Sequence, residues 1–192
     1  MNAIEAIQLL QTNPLTFLRR NSFTAFAAPT TAGAVHQFFM VDRNTDIERP
    51  GQILGNLNTH TGQKFQARAN NNLGGGTGFN AAHIPVQPSN IAINPIALPL
   101  HGAGIMLTTQ LTGCCMVVVP QGNTFGVAHL QPTGETGLQL CQRLRTAGMR
   151  VFGQSDYQGS RGIFVGARIN GTWGFYTQLQ DANFNVKSAN RF

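Results

Sequence analysis

Apolar and polar residues alternate along this chain with two different periods, and the switch between them marks out the elements. Residues 3–11 follow a helical spacing and predict a short amphipathic helix that stops before Pro14. Residues 35–42, VHQFFMVD, are rich in strand-forming types and predict a half-buried strand. From Gly51 to Asn80 the chain turns polar and rich in Gly and Asn, which reads as a surface loop. Its glycine-rich NNLGGGTGFN lacks the following Lys-Ser/Thr of a phosphate cradle. Residues 84–100 are apolar but punctuated by Pro85, Pro88, Pro95 and Pro99, so they predict extended edge segments draped over a core.

Residues 114–119 (CCMVVV) and 124–129 (TFGVAH) read as two strands of a hairpin turning through PQGN. Residues 133–147 predict a helix capped by Thr133, with Leu138, Cys141 and Leu144 on its buried stripe and Gly148 at its end. GIFVGARI and TWGFYTQL flank Asn170-Gly171, a strong two-residue hairpin signal that sets Arg168 opposite Trp173. The last residues, NVKSANRF, read as a frayed tail. No internal repeat is visible, and the tally is mostly strand with two or three helices.

Composition narrows the class. The 192 residues suffice for one domain with a sizeable core, so residues 1–192 are taken as a single domain. Only 10% of residues are charged, and 22 glycines with 9 prolines suit a loop-rich globular fold. The net charge is +6, carried by 11 Arg against 2 Lys. Arg143, Arg145, Arg150, Arg161 and Arg168 concentrate it in the last third, as a solvated basic face or a dock for an acidic partner. Aromatic residues do not interleave with these arginines, so direct nucleic-acid binding is not expected. No stretch reads as a membrane span or Sec-type signal, which leaves a cytoplasmic protein or one exported by another route. Three cysteines leave at least one thiol unpaired in a monomer, which argues against a disulfide framework. No metal-ligand spacing is present, and no metal or cofactor is expected.

The chemistry is concentrated in the hairpin. With its turn centred between Gln121 and Gly122, Cys114 faces His129 fifteen residues later, and facing Cβ atoms lie about 4.5–5.5 Å apart. A slip of one would send His129 to the other face, opposite Cys115, so the choice of cysteine depends on the turn. Both ribbon faces are apolar, Met116, Val118, Phe125 and Val127 on one and Val117, Val119 and Ala128 on the other, which predicts burial inside a layered fold. Gly113 removes a side chain beside the sulfur and leaves room for a carboxamide. A thiol beside an imidazole suits nucleophilic catalysis; the alternative is a core cysteine and a hydrogen-bonded strand histidine.

The LTGC of Leu111–Cys114, followed fifteen residues later by His129, resembles the LSGC…His signature of the cytotoxic necrotizing factor family and the related Burkholderia lethal factor. The likeness covers about residues 107–132, with Thr112 in place of serine and Cys115 as an extra thiol. The resemblance implies protein-glutamine deamidation by a toxin or effector acting on a host protein. It makes Cys114 the nucleophile, maps the catalytic histidine to His129, and matches Thr108, six residues before the cysteine, to a functional threonine. Chemotaxis receptor deamidases have a similar Thr, Cys and His arrangement. Backbone N–H groups at Gly113 and Cys114 would receive the oxyanion. The implied fold is an α/β (α+β) sandwich of mixed sheets with flanking helices, its cleft at a sheet edge.

The implied substrate is a host protein bearing a reactive glutamine. The cysteine–histidine spacing favours a Rho-family GTPase, whereas the chain's size is closer to the lethal factor, whose target is a translation-initiation RNA helicase. Delivery to a host cell by a non-Sec route and a monomeric state follow from the same reading. Loops within 51–80 and 84–101 would select the glutamine; His83 and His101 at their border could line the cleft, with surface or capping roles favoured. An amine in place of water would make the same acyl-enzyme a transglutaminase. A papain-like hydrolase or a non-catalytic binding domain are the other readings.

Overall fold

A computed structural model describes residues 1–26, 35–43, 62–69 and 74–192. The first helix, α1 (Ala3–Thr12), begins at an Asn2 capping box and ends before Pro14 as the sequence predicts. Pro14 then opens a second helix, α2 (Pro14–Arg20), that periodicity alone does not announce. Proline tolerates this first helical position because the N–H it lacks would have no intrahelical partner there. The strands that follow are β1 (Asn21–Phe26), β2 (Val35–Asp42), β3 (Gln63–Arg68), β4 (Thr77–His83), β5 (Val86–Pro88), β6 (Ile96–Ala97) and β7 (Ile105–Leu107). Next come β8 (Cys115–Gln121), β9 (Thr124–Gln131), α3 (Gly137–Thr146), β10 (Arg150–Phe152), α4 (Gln154–Tyr157), β11 (Arg161–Ile169), β12 (Thr172–Gln180) and β13 (Val186–Arg191).

Two mixed sheets organise these strands. The larger runs β1-β3-β2-β4-β7-β11-β12-β13, and the smaller runs β10-β8-β9-β5 with β6 also pairing to β9. Three apolar clusters show how they stack. Ala6, Leu10, Phe17 and Leu18 of α1 and α2 pack on Phe23, Phe38, Phe65, Ile105 and Val165 of the large sheet. Met106, Phe164, Trp173 and Phe175 of that sheet meet Met116, Val118 and Val127 of the small one. On the far side, Val117, Ala128 and Leu130 pack on Leu140, Cys141 and Leu144 of α3. The result is an α–β–β–α sandwich of the α+β class. The sheets are held by burial of large side chains such as Phe17, Phe23 and Phe65, each worth ~1.5–3 kcal/mol relative to exposure.

Several sequence expectations need correction. The tract 51–80 is not one loop: β3 and the start of β4 lie within it, in the body of the large sheet. Its alternation is weak because Gln66 and Arg68 are buried polar residues, with Arg68 Nε donating to Gln66 Oε1 at 2.9 Å. Residues 51–61 and 70–73 of that tract lie outside the described residues. The tail is not frayed but forms β13 against β12. Helix α3 is capped by Thr136, whose hydroxyl accepts from Gln139 N while Gln139 Oε1 accepts from Thr136 N, and not by Thr133. That later start leaves Leu138 exposed and puts Leu140 in the buried stripe.

Other expectations hold. β2 spans residues 35–42, and β5 lies at the edge of the small sheet. Asn170 and Gly171 both take positive φ, and Arg168 faces Trp173. The five arginines of the last third are engaged locally. Arg143 pairs with Glu135, Arg145 with Asp156, and Arg168 donates to the Gly102 carbonyl. Arg150 and Arg161 lie over the rings of Phe192 and Phe184. No helix among the described residues is long and apolar enough to cross a membrane.

Candidate active site

The site lies where the chain passes between the two sheets. β7 ends at Leu107 in the large sheet, and residues 108–114 carry the chain to β8 in the small one. Nearby, β4 ends at His83 beside Leu107, and β5 starts at Val86 beside His129. Residues 83–86 therefore make a second crossing next to the first. Ile84 joins the two, because its N–H donates to the Leu107 carbonyl at 3.0 Å and its own carbonyl accepts from Thr108.

The hairpin forms, but with a different register. Gln121 faces Thr124, so the turn residues are Gly122 and Asn123, and Met116 rather than Cys114 stands opposite His129. Gly122 has φ +59°, a conformation that suits glycine at the first central position of a tight hairpin turn. Recentring the turn by one residue moves every partner by two positions, and an even shift preserves the faces. Cys114 therefore stays on His129's side of the ribbon, as a diagonal neighbour, packed with Met116 against the inter-sheet core. Cys115 points the opposite way, into the α3 side.

Thr108 and His129 are joined directly. Thr108 Oγ1 lies 2.6 Å from His129 Nδ1 and 2.8 Å from the Ile84 carbonyl. A hydroxyl has one proton and the carbonyl has none, so Thr108 donates to Ile84 and accepts from His129. The imidazole must then carry its proton on Nδ1 and present a lone pair at Nε2. That Nε2 is buried and has no hydrogen-bond partner. Burial, with a smaller push from His83, lowers His129 from 6.5 to about 4, so the ring is neutral near pH 7.

Cys114 is half-buried, the least enclosed of the three cysteines. Burial pushes its thiol up, and no hydrogen bond joins it to His129 Nε2. The resting pair is a neutral thiol and a neutral imidazole, not the ion pair expected when a histidine lowers a thiol's pKa. A Cβ placed on Gly113, the residue before this cysteine, would meet nothing within 4 Å beyond its chain neighbours.

Sequence reasoning missed the groups that brace this loop. Leu111 bridges to Gly162 by two backbone hydrogen bonds, and Tyr157 Oη donates to the Cys114 carbonyl at 2.7 Å. Gly137, first residue of α3, sits so close that a Cβ there would lie 2.2 Å from the Gly113 carbonyl oxygen. His83 is also not a surface residue. It is buried, both ring nitrogens lack partners, and burial followed by the charge of His36 lowers it to about 4. Its place at the end of β4 carries no spacing signal that would tie it to His129. His101 is exposed, as expected.

Neither the protein-family models nor the curated proteins contain a match to this chain.

Proposed function

We propose that this chain is a cysteine-dependent protein-glutamine deamidase, with Cys114 as nucleophile, His129 as general base and acid, and Thr108 as the residue that sets the histidine's tautomer. The observation that carries this reading is the Ile84–Thr108–His129 hydrogen-bond chain, which leaves an unpartnered Nε2 on the ribbon face that also bears Cys114. The motif resemblance supplies the reaction. His129 Nε2 takes the thiol proton as Cys114 Sγ attacks the glutamine carboxamide carbon. The oxyanion is received by backbone N–H at Cys114, beside the open space at Gly113. Collapse breaks the C–N bond, and the imidazolium hands its proton to the departing ammonia. Water, deprotonated by the same nitrogen, hydrolyses the thioester to glutamate and restores the thiol. A neutral resting pair fits this cycle, because the base must be unprotonated before attack.

The substrate reading is a Rho-family GTPase modified by a secreted bacterial toxin or effector, at the glutamine that orients the hydrolytic water. A translation-initiation RNA helicase is the alternative target, and transfer to an amine the alternative fate of the thioester. The purified chain is incubated with each candidate, and mass spectrometry follows a gain of about one dalton on glutamine as the acyl-enzyme turns over. Cys114→Ser and His129→Ala are expected to abolish the gain while keeping the native circular dichroism. Undiminished deamidation by Cys114→Ser ends the proposal.

The raised Cys114 thiol favours one competing reading, a non-catalytic domain whose hairpin is only core. Iodoacetamide separates the two. A catalytic Cys114 is alkylated faster than an ordinary buried thiol and slows in His129→Ala, whereas a core thiol is slow in both.

A further inference from the structure

Cys115 and Cys141 meet on the side of the small sheet facing away from His129. Cys115 opens β8, Cys141 lies on α3, and both are buried in the cluster that joins those elements. Their sulfurs are 2.8 Å apart, nearer than two unbonded sulfurs rest in contact. Gly153 closes over them. A Cβ there would lie 2.1 Å from Cys141 Sγ and 2.5 Å from Cys115 Sγ, so the two sulfurs occupy the space of a missing side chain. Its backbone is extended, which any residue adopts, so glycine is required for room alone.

We propose that Cys115 and Cys141 are the site of a reversible disulfide that ties β8 to α3 and leaves Cys114 as the chain's one free thiol. The inference rests on this contact and is independent of the deamidase reading. The oxidant is a hydroperoxide, small enough to reach a buried pair. Cys141, as thiolate, attacks one peroxide oxygen; the O–O bond breaks, releasing hydroxide and leaving a sulfenic acid on Cys141. Cys115 Sγ then attacks that sulfur, the S–O bond breaks, and water departs with the thiol's proton. In sum two thiols and one hydrogen peroxide give one disulfide and two waters. Contact with the Cys115 sulfur, together with backbone N–H groups of Ser155 and Gln154, lowers Cys141, and the same contact raises Cys115. Cys141 is thus the sulfur that starts the reaction. Cys114 is excluded because it points to the opposite face of the ribbon.

The test uses the full chain treated with equimolar hydrogen peroxide, then denatured in iodoacetamide. Trypsin and a glutamate-specific protease cut at Arg68, Glu135 and Arg143, placing Cys114 and Cys115 on one peptide and Cys141 on another. The expected result is a cross-linked pair of these peptides bearing one carbamidomethyl group, and, after reduction and a second alkylation, two groups on the Cys114–Cys115 peptide and one on the Cys141 peptide. Cys114→Ser should still cross-link and Cys115→Ser should not. Oxidation should also raise the thermal midpoint by several degrees, since a loop of 26 residues is closed. Peroxide-treated wild type with all three thiols alkylated, or with Cys141 linked in Cys115→Ser but not in Cys114→Ser, overturns the proposal. The wild-type digest decides it even if a variant fails to fold.

Discussion

The single hydroxyl proton of Thr108 goes to the Ile84 carbonyl, and that commitment determines which nitrogen of His129 holds a lone pair. Thr108→Val keeps the shape and removes the acceptor, leaving Nδ1–H unsatisfied in a buried place. An unpaired buried donor costs about 1–3 kcal/mol, and the denaturant midpoint should fall accordingly. If Thr108 sets the tautomer, kcat for ammonia release from the glutamine substrate should drop at least tenfold with KM little changed. Thr108→Ser should restore most of it. A Thr108→Val variant with wild-type kcat would remove Thr108 from the mechanism. At this scale the motif is carried by the LTGC and histidine spacing of Cys114 and His129, whereas the bond from Thr108 to that histidine becomes visible only in the fold. His83 was opaque, because its burial depends on how β4, β7 and β9 converge rather than on its neighbours in the chain.

Elements were legible where local chemistry decides them and obscure where tertiary contacts do. The Asn170-Gly171 turn pins its own register, since both residues supply the positive φ that a tight hairpin needs. The sequence predicts the hairpin at Gly122-Asn123 but centres its turn one residue early. The face assignment survived because the displacement along the ladder was even. β3 and β13 are hidden in the sequence for another reason. β3 carries Gln66 and Arg68 inside the sheet, and β13 alternates only weakly, so periodicity could not reveal either. Among the contacts no pattern announced is the brace under the Cys114 loop, where α3 presses Gly137 against the Gly113 carbonyl. Gly137→Ala must push that loop or the helix aside, and overpacking of this kind costs about 1–3 kcal/mol. If Cys114 is the nucleophile proposed above, activity should fall more steeply than stability, because the displaced backbone carries that residue and its proposed oxyanion donor. Tyr157→Phe is the gentler counterpart. It deletes one hydrogen bond to the Cys114 carbonyl, worth about 1 kcal/mol, and should lower kcat with the fold intact. Unchanged kcat in both variants would mean the brace has no part in positioning Cys114.

Across the whole molecule, two neutral histidines lie buried near where the sheets meet, and their titration links the site to global stability. His83 and His129 each fall from 6.5 to about 4, chiefly through burial. Above pH 6.5 both are neutral in folded and unfolded chains alike, so neither makes stability vary with pH. Between 6.5 and about 4 the unfolded chain binds protons that the folded chain refuses, and the free energy of unfolding falls as the solution is acidified. The loss across that whole window should approach about 7 kcal/mol when both sites are counted, on the order of 1.4 kcal/mol for each pH unit and site. Glu135 acts lower: Arg143 holds it below its ordinary 4.5, so its contribution disappears only under that value. Urea midpoints measured from pH 7.5 to 4.5 should therefore decline below 6.5, and His83→Gln should flatten part of the decline. If His129 is the base proposed above, deamidation should fall with an acid limb set by His129 in the folded chain, near 4 and well under the ordinary 6.5. Stability that holds level down to pH 4.5 would show that the two rings accept protons in place, and the buried, neutral His129 on which the proton-transfer scheme depends would have to be abandoned.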